Sequence, residues 1–230
     1  RGGGGARGPM FRAGSHTDAV MGLAWNREHR HLLASASADT TVKLWDVNTQ
    51  AVVHTFMHHT DKVQGVAWNP AEVTILATGA FDRTIAVFDA SSPAAVQRVP
   101  VSADIEDLAW DVHTPHQVYA SCEDGMVTCH DVRNPSKPLF SLRAHSTAVS
   151  SISVNPLVPG MLATASTDKS VKVWDMAGEA GPQCLATKGL PIGEIFTCDW
   201  YGANPWVLAA GGSKGMVAIW EVNEVEAVER

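Results

Sequence analysis

The chain has 230 residues, 45% of them hydrophobic and 18% charged, an ordinary composition for a globular protein of one or two domains with a substantial core. Lys and Arg number 17 against 24 Asp and Glu, net −7, a poor balance for a broad nucleic-acid binder, which needs a basic face. No apolar run approaches the ~18 residues of a membrane span. The four cysteines, Cys122, Cys129, Cys184 and Cys198, form no C-x-x-C pair and follow no secretory leader, which points to a reduced intracellular setting.

Residues 1–13, "RGGGGARGPMFRA", have no apolar period and read as a flexible Gly/Arg-rich linker. One Arg-Gly-Gly also leaves RNA contact open as a weak alternative. The chain starts with Arg rather than Met, so a fragment of something longer is expected.

From residue 14 onward the chain repeats itself. "TVKLWD" at 41–46 returns as "TIAVFD", "MVTCHD", "SVKVWD" and "MVAIWE". The Trp place is held by Trp45, Phe88, His130, Trp174 and Trp220, at steps of 43, 42, 44 and 46 residues. A second series, Trp25, Trp68, Trp110, Val154 and Trp200, precedes it by 20 residues in all five units. Constant spacing marks a packed element, and the variable remainder of the period marks surface connections.

Within each unit the pattern is strand, turn, strand. In "LLASASADTTVKLWD" an apolar strand meets a small turn at Ala38–Thr40, then Val42 and Leu44 alternate with Lys43 and Trp45. Adding "AVMGLAWN" before it and "AVVHTF" after it gives about four short strands per unit. A ~40–45-residue unit of four strands ending in Trp-Asp is the signature of a β-propeller blade. The expected fold is all-β, with five four-stranded blades at 14–56, 57–100, 101–143, 144–190 and 191–222, and an acidic tail beginning at 223–230. Five blades are few, and an unclosed arc exposes edges and faces. Two or so further blades are expected ahead of this segment, completing a seven-bladed ring, with the Gly-rich stretch as an insertion.

Polar residues recur in register. His16, His59 and His145 stand 23 residues before Asp39, Asp82 and Asp168, and Ser35, Thr78 and Thr164 stand four before those aspartates. These positions resemble the WD-repeat family over nearly the whole chain. The resemblance implies a hydrogen-bonded tetrad of Asp, His, Ser/Thr and Trp inside a blade, complete in unit 1 (His16, Ser35, Asp39, Trp45) and unit 4 (His145, Thr164, Asp168, Trp174). Unit 2 (His59, Thr78, Asp82) has Phe88 and a shorter network. Unit 3 keeps Asp124 but has Val101, Ala120 and His130. Unit 5 has Pro191, Ala210 and Lys214.

His, Asp and Ser together also suggest a hydrolytic triad. A catalytic set occurs once, whereas these residues recur in units 1, 2 and 4, and no G-x-S-x-G elbow is present. "HRH" at 29–31 and "HH" at 58–59 lack a second ligand pair at zinc spacing. "GGSKG" precedes a strand rather than a helix, so it is not a phosphate loop. The chain is therefore expected to be no enzyme, with no cofactor, no metal, no small-molecule substrate and no membrane contact.

A propeller without a catalytic set is a binding platform. In WD-repeat proteins the contact positions lie three and five after the His place and just before the turn Asp. Here they are Ala19, Met21 and Ala38; Lys62, Gln64 and Phe81; Asp104, Glu106 and Glu123; Ala148, Ser150 and Thr167; Glu194, Phe196 and Ser213. Met21, Phe81 and Phe196 are apolar where solvent is expected, which marks an interaction surface. Asp104, Glu106 and Glu123 make one sector acidic and suited to a basic peptide; the same residues also read as ordinary exposed side chains.

The phrases "HHTDKVQGVAWNP", "AVSSISVNPLVPGMLATASTDKSVKVWD" and "GGSKGMVAIWE" go beyond generic WD features. They resemble the periodic tryptophan protein 1 family over residues 16 to about 222. That resemblance implies a nuclear and nucleolar scaffold in ribosome biogenesis, acting in pre-ribosomal RNA processing or ribosomal gene transcription, with a chromatin link. Its partners would be pre-ribosomal or chromatin proteins. A generic adaptor, such as a substrate receptor of a ubiquitin ligase, is the alternative.

Overall fold

The computed structural model describes residues 14–178 and 180–222. The expected linker at 1–13 and acidic tail at 223–230 lie outside the described residues. Every regular element is a β-strand, arranged as five antiparallel sheets in chain order.

The first sheet runs β1 (Val20–Trp25), β2 (Leu32–Ser37), β3 (Val42–Asp46) and β4 (Ala51–Phe56). The second holds β5 (Val63–Trp68), β6 (Ile75–Ala80), β7 (Thr84–Asp89) and β8 (Val96–Pro100). The third holds β9 (Ile105–Trp110), β10 (Gln117–Cys122), β11 (Met126–Asp131) and β12 (Phe140–Arg143). The fourth holds β13 (Val149–Val154), β14 (Met161–Ser166), β15 (Ser170–Asp175) and β16 (Gln183–Gly189). The fifth holds β17 (Ile195–Trp200), β18 (Val207–Gly212) and β19 (Val217–Glu221), so it has three strands, not four, among the described residues. This is a propeller architecture: short meandering sheets packed face to face around a common axis.

A four-stranded sheet cannot bury both faces alone, so the cores lie between sheets. Four buried apolar clusters occupy the four interfaces between consecutive sheets. Leu44 and Phe56 meet Val63 and Phe88 in the first; Ile85 and Val87 meet Ile105 and Leu108 in the second. Val127 and Cys129 meet Val149 and Ile152 in the third; Val171 and Val173 meet Ile195 and Trp200 in the fourth. Close approach at the first interface requires Gly22, where a Cβ would lie 2.9 Å from the Gln64 carbonyl oxygen.

The arc is open. β1, β5, β9, β13 and β17 pack in succession, but among the described residues no comparable contact joins β17 back to β1. Val20 and Leu23 on β1 are 50% and 64% exposed, whereas the corresponding Ile105 and Leu108 of the third sheet are 0% and 6% exposed. At the other end Val217 and Ile219 are 75% and 71% exposed, against 0% for Val171 and Val173 in the same places of the fourth sheet.

Candidate functional site: the turn end of the channel

Each unit turns sharply between its second and third strands, and the polar residues that recur in the sequence meet there. In the first unit His16 Nδ1 lies 2.8 Å from Asp39 Oδ2 and His16 Nε2 lies 2.7 Å from Ser35 Oγ, which also accepts the Trp45 indole N–H at 2.8 Å. In the fourth unit His145 bridges Asp168 at 2.9 Å and Thr164 at 2.7 Å, and Trp174 donates to Thr164 at 2.9 Å. In the second unit His59 joins Asp82 at 2.9 Å and Thr78 at 2.8 Å. Phe88 has no N–H to add.

Burial pulls the Asp82 and Asp168 carboxyls upward, but the Thr84 and Ser170 hydroxyls and the imidazole N–H outweigh it, holding both below the usual range. Burial pushes His59 and His145 down, and the facing carboxylates only partly offset it. Both imidazoles are therefore neutral near pH 7, with the Nδ1 proton on the carboxylate side. Nε2 then accepts the hydroxyl hydrogen, which leaves the hydroxyl lone pairs for the indole. Ser35, Thr78 and Thr164 are at most 2% exposed, which keeps them from acting as nucleophiles toward a substrate. Units 3 and 5 depart: His130 meets only Thr128, at 3.2 Å, and Lys214 Nζ reaches the Pro191 carbonyl at 3.3 Å.

The residue after the turn Asp, or after Lys214, is left-handed in every unit: Thr40, Arg83, Gly125, Lys169 and Gly215 have φ between 61° and 85°. That kink brings the preceding residue back over the first strand. Ala38, Phe81, Glu123, Thr167 and Ser213 each donate a backbone N–H to Ala19, Lys62, Asp104, Ala148 and Glu194 respectively, at 2.8–3.3 Å. Two of the three candidate contact positions in each unit are thus paired neighbours at one end of the channel.

The third position is set by a bulge. The ladder between the first and second strands skips one residue in all five sheets: Met21, Gln64, Glu106, Ser150 and Phe196. A bulge leaves its residue out of the ladder and re-aims the side chain. All five line one channel of about 300 Å³. The structure thus brings into one ring residues that are about 45 positions apart in the chain.

The ring is uneven. Glu106 is half-buried, and burial together with Glu123, Asp104 and Asp107 raises its pKa. Asp107 also lines the channel. It was not among the expected contact residues, and nothing in its spacing marks it. Its Oδ2 accepts from the Ile152 N–H at 3.0 Å and the Ser151 hydroxyl at 3.1 Å in the next sheet, and burial pushes its pKa up to about 6. Arg83 pairs with Asp104 at 3.2 Å, and among the described residues no ion pair is made by Glu106 or Glu123. Met21 and Phe196 are 42% and 52% exposed and flank the open side of the arc. Phe81 is half-buried rather than open to solvent. Lys62 and Glu194 are exposed.

The second tryptophan series has its own role, which periodicity alone did not reveal. Trp68, Trp110 and Trp200 each donate the indole N–H across to the preceding sheet, to the Ala24, Ala67 and Ser153 carbonyls at 3.0–3.1 Å. The neighbouring Asn26, Asn69 and Asn155 reach forward to Val73, Pro115 and Pro205 at 2.6–2.8 Å. The "AWN" written twice in the sequence was the available signal.

No group of three or more metal-ligating side chains comes together among the described residues. Cys122 and Cys129 are buried with pKa values pushed up to about 12, and Cys198 is raised by the same burial, so these thiols stay protonated. Cys184 is exposed.

Sheets, turn networks and a channel of bulge residues define a WD-repeat propeller segment. The family model "WD domain, G-beta repeat" matches residues 9–46, 50–89 and 136–175, and the chain belongs to that family. The matched units are those whose His–Asp pair is present.

The chain is 50% identical over 208 residues to an uncharacterized WD repeat-containing protein of Schizosaccharomyces pombe, across 90% of this chain and 40% of that one. It is homologous to Periodic tryptophan protein 1 of Saccharomyces cerevisiae, at 30% identity over 90% of this chain and 38% of the relative. A Drosophila melanogaster Periodic tryptophan protein 1 homolog is 28% identical over 96% of this chain and 52% of its own length. The chain thus spans about two fifths to one half of these relatives.

Proposed function

We propose that this chain is part of a non-catalytic protein-interaction scaffold acting in ribosome biogenesis, in the nucleus and nucleolus, and that the turn end of its channel holds a basic peptide of a pre-ribosomal or chromatin protein. The observation that carries the binding reading is the ring of five bulge residues, with Glu106 and Glu123 of the third unit in no ion pair among the described residues. Desolvation and like-charge crowding raise the free energy of the Glu106 carboxylate. A cationic side chain offsets the like-charge crowding and gives the desolvated carboxylate a counter-charge, which favours binding electrostatically. Homology to Periodic tryptophan protein 1 supports the choice of process.

The test pairs Glu106→Lys and Glu123→Lys in the full-length protein, with circular dichroism to verify folding and affinity purification from nuclear extract. Pre-ribosomal proteins and a Lys/Arg-rich test peptide should be lost together, the peptide by ten-fold or more in affinity. Unchanged recovery by the folded variant would defeat the acidic-sector reading. Recovery of ubiquitin-ligase subunits by the unmutated protein, in place of pre-ribosomal proteins, would defeat the assigned process.

A further inference from the structure

The residue that follows each bulge residue faces the first strand of the next sheet. A Cβ on Gly22 would lie 2.9 Å from the Gln64 carbonyl oxygen and one on Gly65 3.3 Å from the Leu108 nitrogen, so there the backbones themselves approach. Asp107 and Ser151 hold the same place in the next two units and use side chains instead. Asp107 Oδ2 accepts the Ile152 N–H and the Ser151 hydroxyl, and its Oδ1 accepts the Leu108 N–H at 2.8 Å. Ser151 Oγ in turn accepts the Cys198 N–H at 3.3 Å. Every donor in this run points toward Asp107, so one carboxylate strings the third, fourth and fifth sheets together.

The neutral links of the other joints are missing between the third and fourth sheets. Val154 stands in the place of Trp68, Trp110 and Trp200 and has no indole to donate. Asp111 stands in the place of Asn26, Asn69 and Asn155, and its side chain has no N–H. His113 Nε2 lies 3.0 Å from the Asn155 carbonyl oxygen, where a ring N–H serves in either charge state. Asp107 is therefore the link whose strength depends on charge.

Burial outweighs the three hydrogen bonds and pushes the Asp107 pKa up to about 6. The titratable groups that face it are Glu106 on its own strand and Asp199 and Cys198 on β17. β10 adds Tyr119 and Cys122, both held protonated by burial. β5, β6 and β13, also packed against β9, contain no titratable side chain. The ionised carboxylate thus favours an open joint, where water reaches it, and a proton or cation beside it favours the closed one.

We infer that the charge on Asp107 sets how tightly the third sheet joins the fourth and fifth, and that a cation entering the channel beside Glu106 tightens that joint. Both carboxyls line the channel, so a cation that meets one acts on the other. The second half rests on the basic-peptide reading and the first does not. The coupling is reciprocal: what the occupant adds to closure, closure adds to its affinity.

The test is amide hydrogen exchange of the full-length protein, read at Ile152 and Cys198 by fragmentation mass spectrometry and corrected for intrinsic exchange. Opening should be about four-fold rarer at pH 5.5 than at pH 7.5, from the raised pKa when closed and an ordinary one when open. At pH 7.5 a saturating Lys/Arg-rich peptide should protect both amides by about three-fold or more. Asp107→Asn keeps an acceptor and removes the charge, and should abolish both responses. Ser151→Ala should keep them at Ile152 and lose them at Cys198, a second check should Asp107→Asn not fold. Exchange in the unmutated protein that ignores pH, or an equal pH response in Asp107→Asn, would overturn the charge-set joint. A peptide that binds without protecting Ile152 would overturn the coupling. A peptide that does not bind defeats the basic-peptide reading and the coupling with it, while the pH response still decides the joint.

Discussion

The hydroxyl at the centre of each turn network is the place to test what the network contributes. Thr164 and Thr78 are both fully buried, and valine matches threonine in volume while deleting the hydroxyl. Thr164→Val orphans two groups, His145 Nε2 and the Trp174 indole N–H. Thr78→Val orphans one, His59 Nε2, because Phe88 offers no N–H. A buried polar group left unpaired costs about 1–3 kcal/mol. Thr164→Val should therefore cost about 3 kcal/mol and Thr78→Val about half of that. The assay is urea unfolding supported by native-state hydrogen exchange of the two sheets, since repeat arrays lose stability locally. Equal costs for the two variants, or a neutral Thr164→Val, would refute the idea that hydroxyl satisfaction sets the stability of these turns.

Thr40 sits at φ 71°, costly for a β-branched residue; Thr40→Gly should raise stability by about 0.5–1 kcal/mol in denaturant unfolding. At the same place in the third unit Gly125→Ala should cost about 2 kcal/mol or more, since its Cβ would lie 2.4 Å from the His145 carbonyl oxygen. His59, His130 and His145 have folded pKa values below the ordinary 6.5. The native state therefore holds fewer protons, and stability falls as pH drops below that value. Removing one such group by His130→Phe should flatten the loss between pH 7.5 and 5.5, measured by unfolding at each pH. Trp110→Phe should cost about 1 kcal/mol by removing the inter-sheet bond from the indole N–H to the Ala67 carbonyl, whereas Trp25→Phe in the 230-residue chain should be silent.

The repeat, its strands and its turns were legible because they recur: a constant 20-residue spacing between the two tryptophan series marks a packed element, here the first three strands of each sheet. The positions of Met21, Glu106 and Phe196 were legible through family resemblance, but the cause of their convergence was not. A bulge is a property of pairing between two strands, and no single strand's period shows it. The inter-sheet role of Trp68 and Trp110 was hidden for a similar reason. Their partners, Ala24 and Ala67, offer only backbone carbonyls, which every residue has and no sequence can flag. The left-handed residue of the second unit's turn is Arg83, φ 61°, where a sequence reader would have looked for glycine.

The bulge at one place in each unit has a consequence for how such a protein changes over generations. A residue held out of the ladder contributes no strand pairing, so the chemistry written there is nearly free to drift without unravelling the sheet around it. Met, Gln, Glu, Ser and Phe occupy that single address in the five units, and they share neither size, charge nor polarity. The scaffold thereby separates the ladder that sets the shape from the side chains that face the channel, although Ser150 also ties its sheet to the next through the Ile195 carbonyl.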